Sequence, residues 1–290
     1  MHLLNGPAAA GFLLLSALTL IAAPVAAQGD AKRGAYLAKA GGCFGCHTED
    51  RKGATPFAGG RALKTPFGIF YGPNITPDPE VGLGRWTQAE FVNAMRRGVR
   101  PDGASLYPAF PYPSFTKITD ADLHDLWAYL RTLAPSARPN RPHELHFPFG
   151  WRFLLRGWKW LFFRQGAFQP DPSHGALLER GAYLVQALGH CGECHTPRNL
   201  FGAPEKDRYL AGATLPGGGK ASNLTPTRLK KWTDSELRDF LKSGMTPDGD
   251  VAAEAMDEVI RNTTSQLTSG DLEALIVYLR SLPPLPEAPK

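Results

Sequence analysis

The chain has 290 residues, 43% of them hydrophobic and 10% aromatic, enough apolar surface to build cores and too much for a disordered polymer. At about twice a typical domain length it is expected to form two domains. The formal net charge of +5 at pH 7, with no Lys/Arg run, argues against a nucleic-acid partner.

Residues 1–27 carry no Lys, Arg, Asp or Glu, and the apolar run Phe12–Ile21 is followed by Pro24-Val25-Ala26-Ala27. This reads as an export signal cleaved after Ala27. An uncleaved anchor is the other reading, but the run falls short of the roughly 20 residues that span a bilayer. No later stretch approaches that length.

Past the leader, Gly34-Ala35-Tyr36-Leu37 opens a short helix leading to Cys43-Phe44-Gly45-Cys46-His47. A Gly- and Pro-rich loop with Asn74-Ile75-Thr76-Pro77 follows. Trp86-Thr87-Gln88-Ala89-Glu90-Phe91 then has the T-x-x-E capping box that starts a helix. After a second loop, with Pro101-Asp102-Gly103 and Tyr107–Tyr112, a helix is expected over Asp122–Leu133, since Leu123, Leu126, Trp127 and Leu130 recur at helical spacing.

Residues 141–175 match nothing else in the chain. Phe147–Arg164 holds three of the six tryptophans and no acid, and a helix over Trp151–Phe163 would be apolar nearly all round, with Arg152, Arg156 and Lys159 on one flank. Two readings compete: a docking surface or peripheral membrane contact over residues 147–164, or a connector buried between domains. The connector is the favoured one.

From Gly181 the first pattern returns in order. Gly181-Ala182-Tyr183-Leu184 precedes Cys191-Gly192-Glu193-Cys194-His195. Asn223-Leu224-Thr225-Pro226, the capping box from Trp232-Thr233 to Glu236, Pro247-Asp248-Gly249 and the apolar spacing of Leu272, Leu275, Ile276 and Leu279 follow. The expected organisation is therefore a signal (1–27), a first domain (28–140), a linker (141–175) and a second domain (176–290).

All four cysteines lie in the two C-x-x-C-H pentads. Two thiols on one turn can add to the two vinyl groups of a haem, and the adjacent His47 or His195 can reach its iron. A zinc site would leave both histidines unexplained, and a thioredoxin-like dithiol needs a strand where the sequence reads helix. Two covalently bound haem c groups are expected, held by Cys43, Cys46, Cys191 and Cys194.

A sixth iron ligand is commonly Met, whose thioether raises the potential. The offset that aligns Asp102-Gly103 with Asp248-Gly249 sets Met256 opposite Phe110, in the loop expected after the second capped helix. Met256 is the candidate for the second haem. Phe110 cannot coordinate, so the first haem either takes Met95, which shares a helix face with Phe91, or is open. His124, His143 and His146 are weaker candidates.

The order of elements in each copy resembles a class I cytochrome c domain, giving a mostly α fold of two tandem class I cytochrome c domains joined by an aromatic-rich linker. More closely, Gly98–Gly103, Leu106–Tyr112 and the run from Gly181 through Cys191 to Arg198 resemble the cytochrome subunits of periplasmic alcohol, gluconate and molybdenum hydroxylase dehydrogenases. That resemblance implies His and Met on each iron, carried here onto His47, His195 and Met256. It also implies a periplasmic carrier that takes electrons from a dehydrogenase subunit and passes them to a downstream acceptor in the respiratory chain. The chain departs from the alcohol dehydrogenase subunits in having two haem motifs, not three, and Phe110 where they have Met. The rival is a dihaem enzyme of peroxidase or thiosulfate dehydrogenase type with an open first haem, so whether the chain is itself an enzyme stays open, with the carrier favoured.

Overall fold

A computed structural model of the chain describes residues 2, 29–216 and 218–287. The signal read over residues 1–27 lies outside them, His2 apart.

In the first half, helix α1 (Ala31–Ala40) is capped by Asp30, whose carboxylate accepts from the N–H groups of Lys32 and Arg33. Helix α2 (Cys43–His47) is the first pentad itself. Strands β1 (Ala62–Thr65) and β2 (Gly68–Tyr71) form a short hairpin. Helix α3 (Gln88–Arg97) starts at the expected capping box, with Thr87 and Glu90 capping reciprocally. Helices α4 (Tyr112–Phe115) and α5 (Asp120–Leu130) complete the half. Strand β3 (Glu144–Leu145) adds to β2, and helix α6 (Leu154–Phe162) occupies the linker.

The second half repeats the series. Helix α7 (Ala176–Tyr183) runs into a π turn at Leu184–Leu188, and helix α8 (Gly192–His195) carries the second pentad from Cys191 at its N-cap. Strands β4 (Ala213–Thr214) and β5 (Lys220–Ala221), helix α9 (Pro226–Leu229) and helix α10 (Asp234–Ser243), boxed by Thr233 and Glu236, follow. Helices α11 (Glu254–Asn262) and α12 (Ser269–Ser281) end it. The mostly helical expectation holds; the short strands were not foreseen, because each has only two to four residues and no alternation to read.

One packing device recurs. α1 crosses α5 where Gly34 faces Asp125, and α7 crosses α12 where Gly181 faces Ala274. A Cβ at either glycine would lie 1.9 Å from the opposing carbonyl oxygen. Only glycine lets the two backbones meet this closely.

The two halves share their cores. Tyr183, Leu184, Ala187 and Leu188 lie in the cluster built on Leu37, Phe91 and Leu126, while Ala40 joins Leu237, Leu272 and Ile276. Two reciprocal clasps tie the halves together. Arg33 pairs with Asp122, whose carboxylate also accepts the hydroxyl of Tyr183 from the other half. Arg180 pairs with Asp271, which accepts the hydroxyl of Tyr36. The backbone N–H of Thr119 donates to the Tyr183 oxygen at 3.2 Å and that of Thr268 to the Tyr36 oxygen at 3.3 Å. Asp122 is 2% exposed, and these partners are what make a carboxylate tolerable there. The exchange of equivalent residues is the isologous pattern of a two-fold dimer, built within one chain.

The linker departs from the favoured expectation of a buried connector. Of α6, only Leu155 is buried, against Phe70 and Tyr107, whereas Trp160 is 77% exposed and Leu161 54%. The helix also begins at Leu154 instead of Trp151.

Candidate functional site

Each pentad is a single helical turn. Cys43 and Cys46 stand three residues apart on α2, as do Cys191, the N-cap of α8, and Cys194 within it, so each pair shares one face with Cβ atoms about 5–6 Å apart. Burial pushes the Cys43 and Cys191 thiols up to about 12, and burial with nearby Glu258 and Cys194 pushes Cys46 up to about 11. These three thiols are held in the neutral form even more firmly than an ordinary cysteine. None is oxidised to a disulfide, and Cys194 is exposed while the other three are part-exposed.

The histidines are aimed by backbone. His47 Nδ1–H donates to the Pro73 carbonyl at 2.8 Å and His195 Nδ1–H donates to the Ser222 carbonyl at 2.6 Å, which fixes the tautomer and leaves Nε2 as the free lone pair. Burial lowers the pKa of both imidazoles, keeping them neutral and ligand-competent.

The carbonyls are held in place by the same scaffold in both halves. Gly59 N–H donates to His47 O and Gly212 N–H to His195 O. Phe57 and Leu210, at φ 61° and 62°, turn the returning loop, and their N–H groups donate to Thr48 and Thr196 side chains, each at 3.0 Å. Asn74 and Asn223, one residue beyond the orienting carbonyls, accept from Thr76 and Thr225 and donate to Ser136 O and Leu285 O. The repeated Asn-x-Thr-Pro was visible in the sequence, but not its service to the histidine, because Pro73 and Ser222 share no side-chain chemistry.

Each predicted sixth ligand lies in the same apolar cluster as one pentad cysteine. Met256 packs in the cluster that contains Cys191, Leu237 and Leu241, and Met95, 6% exposed, lies in the cluster that contains Cys43 and Phe110. Met256 is on α11, within a helix and not in the loop expected from the sequence. At the repeat offset Met95 stands opposite Leu241, a buried core residue. Phe110 packs edge-on to Phe115, their centroids 5.5 Å apart. His143 Nδ1 accepts from Tyr71 N–H at 3.1 Å between the Phe70 and Tyr107 rings, a structural post that removes it as a ligand candidate.

The two pentads approach each other at the shared interface. The Cys194 thiol is near enough to raise that of Cys46, a side chain at Gly45 would meet Glu258 Oε1 at 3.3 Å, and Arg61 pairs with Glu258 across the halves. On the other side Ser114 Oγ donates to Glu193 at 2.8 Å. Each distal segment thus packs on the opposite half's attachment helix.

This donor set fits covalent haem c: paired neutral thiols on one turn, a neutral imidazole with Nε2 free, and a sulfur-bearing apolar cluster alongside. Among the described residues no group of three or more His, Cys, Asp or Glu gathers as a bare-metal site.

Comparisons with known proteins agree. The family model for cytochrome c matches residues 31–134. A dihaem cytochrome c-type protein of Cereibacter sphaeroides is 44% identical over 264 residues, covering 88% of this chain and 86% of that protein. The fructose dehydrogenase cytochrome subunit of Gluconobacter japonicus is 42% identical over 256 residues, 87% of this chain and 52% of that subunit. The gluconate 2-dehydrogenase cytochrome c subunit of Pantoea cypripedii is 40% identical over 266 residues, 87% of this chain and 59% of that subunit. The chain thus spans little more than half the length of these two dehydrogenase subunits.

Proposed function

This chain belongs to the cytochrome c family, and we propose that it is a periplasmic dihaem electron carrier, receiving electrons from a dehydrogenase subunit and passing them toward the respiratory chain. The observation that carries the proposal is the duplication of the whole site, in which His47 and His195 are aimed by the same hydrogen-bonded scaffold and the two pentads meet at a clasped interface. The reading takes residues 28–140 and 176–290 as tandem class I cytochrome c domains with 141–175 as linker, and residues 1–27 as the export signal. The relatives named as cytochrome subunits of dehydrogenases support an upstream dehydrogenase partner.

When bound, haem iron supplies a one-electron ferric/ferrous couple. The chain's own residues do the rest. Cys43 and Cys46, with Cys191 and Cys194, fix the attachment edges. His47 and His195 present Nε2 from a rigid mount, so little rearranges on a change of oxidation state. The Tyr36–Asp271 and Tyr183–Asp122 clasps hold the two attachment helices in one orientation.

In this reading Met256 would supply the sixth ligand of the second site and Met95 that of the first. The fully reduced wild-type chain is then expected to bind no carbon monoxide, and Met256→Ala or Met95→Ala to bind one equivalent each, read from the Soret band. One equivalent bound by wild type and unchanged by Met95→Ala would give an open first iron, as Phe110 suggests, and would shift the reading to a dihaem enzyme.

A further inference from the structure

Helix α6 is amphipathic in the wrong direction for a helix resting on a protein core. Two cations turn inward: Lys159 Nζ donates to the Arg97 and Gly98 carbonyls, each at 2.8 Å, and Arg152 just before the helix donates to Ser105 O at 2.8 Å over the Tyr107 ring. Leu155 anchors the helix in the body, while large apolar side chains of α6 and of the segment before it turn outward. Trp160 is 77% exposed, Phe153 64% and Phe147 79%.

This face extends beyond the linker. The loop after the second pentad, which packs against α6, presents Leu200, 96% exposed, and Phe201, 66% exposed. Phe201 is fixed there by Trp158, whose Nε1–H donates to its carbonyl at 2.9 Å, and by Phe162 at 5.8 Å between ring centroids. Large apolar groups presented together by two separate segments constitute a surface with a use.

Charge identifies what covers it. No Asp or Glu occurs between Glu144 and Asp171. Arg156 and Arg164 are exposed beside the aromatic groups, and among the described residues neither has a carboxylate partner. Exposed aromatic and aliphatic side chains with unpaired arginines between them suit the boundary of a bilayer that carries anionic headgroups. No helix among the described residues is long and apolar enough to cross a membrane.

We propose that α6, the segment preceding it and the Leu200–Phe201 loop form one face that docks the protein on an anionic phospholipid surface. The proposal does not depend on the electron-transfer reading, and its test measures lipid binding alone.

The holo chain is sedimented with vesicles of phosphatidylcholine alone and of phosphatidylcholine mixed equally with phosphatidylglycerol. Wild type is expected to pellet with the mixed vesicles, less so with rising salt, with a blue shift of tryptophan emission. Phe153→Ser/Trp160→Ser/Leu200→Ser should weaken binding by at least about tenfold, since each lost side chain removes apolar burial. Arg156→Glu/Arg164→Glu should abolish the preference for the anionic vesicles. Unchanged Soret spectra in both variants exclude misfolding. The proposal is overturned if wild type stays in the supernatant with both vesicle types, or if both variants bind like wild type. It is also overturned if wild type is a dimer in solution that the serine variant converts to monomer, because a second copy of the chain then covers the face.

Discussion

Replacing Cys191 and Cys194 together with serine is expected to halve the covalent haem content and to lower the stability of the whole chain, not of its second half alone. Serine cannot form the thioether, so the second attachment is lost outright. The cluster around Cys191 and Met256 then loses the group it is shaped to enclose, and its lining is left underpacked. The damage spreads because Leu184, Ala187 and Leu188, which lead directly into the second pentad, are 2%, 0% and 1% exposed within the first half's cluster. A pyridine haemochrome assay should return one haem per chain, and thermal unfolding followed by circular dichroism should show a single transition at lower temperature. Two separated transitions, with the first half unaffected, would mean that the halves are energetically independent despite the Tyr36 and Tyr183 clasps.

The second large effect concerns the helix crossings. Gly181→Ala is expected to destabilise by about 3 kcal/mol or more, because the new Cβ would sit 1.9 Å from the Ala274 carbonyl oxygen and neither backbone can yield without opening the α7–α12 pair. Gly34→Ala should do the same at α1–α5, where the Asp125 carbonyl is as close. Intrinsic propensity acts the other way, since alanine is favoured over glycine inside a helix by about 1 kcal/mol. Gly157→Ala on α6, where nothing lies within 4 Å of the added Cβ, isolates that term and should stabilise by about that amount. Urea unfolding of the three variants compares them directly, and equal effects at Gly157 and Gly181 would remove the close crossing as an energetic feature.

What the sequence made legible was what is local. The capping boxes at Thr87–Glu90 and Thr233–Glu236 formed as read because both partners lie within one turn. The pentads likewise carry their whole donor set in five residues. Met256 was placed opposite Phe110 by the repeat and expected in a loop, yet it lies in α11: Glu254–Asn262 has no side-chain N-cap, and the helical spacing of Ala252, Ala255, Met256, Val259 and Ile260 is short and follows directly on the Pro247-Asp248-Gly249 turn.

Long-range features left no such trace. Nothing near Tyr36 indicates that its hydroxyl meets Asp271, 235 residues away, and the clasp emerges only when α12 is packed beside α7. The Phe147–Arg164 stretch was readable as apolar and basic, but composition is the same for a buried connector and for a presented face. The deciding fact is that Lys159 and Arg152 direct their charges to carbonyls of the body, at Gly98 and Ser105, leaving the aromatic side outward.

The claim on which the rest stands is that both pentads carry haem, and the intact mass of the chain purified from a host able to mature c-type cytochromes tests it most directly. The expected mass is that of the polypeptide plus two haem groups, surviving denaturation because each is bound through two thioethers. A polypeptide plus one haem, or the bare polypeptide with four free thiols, would contradict it.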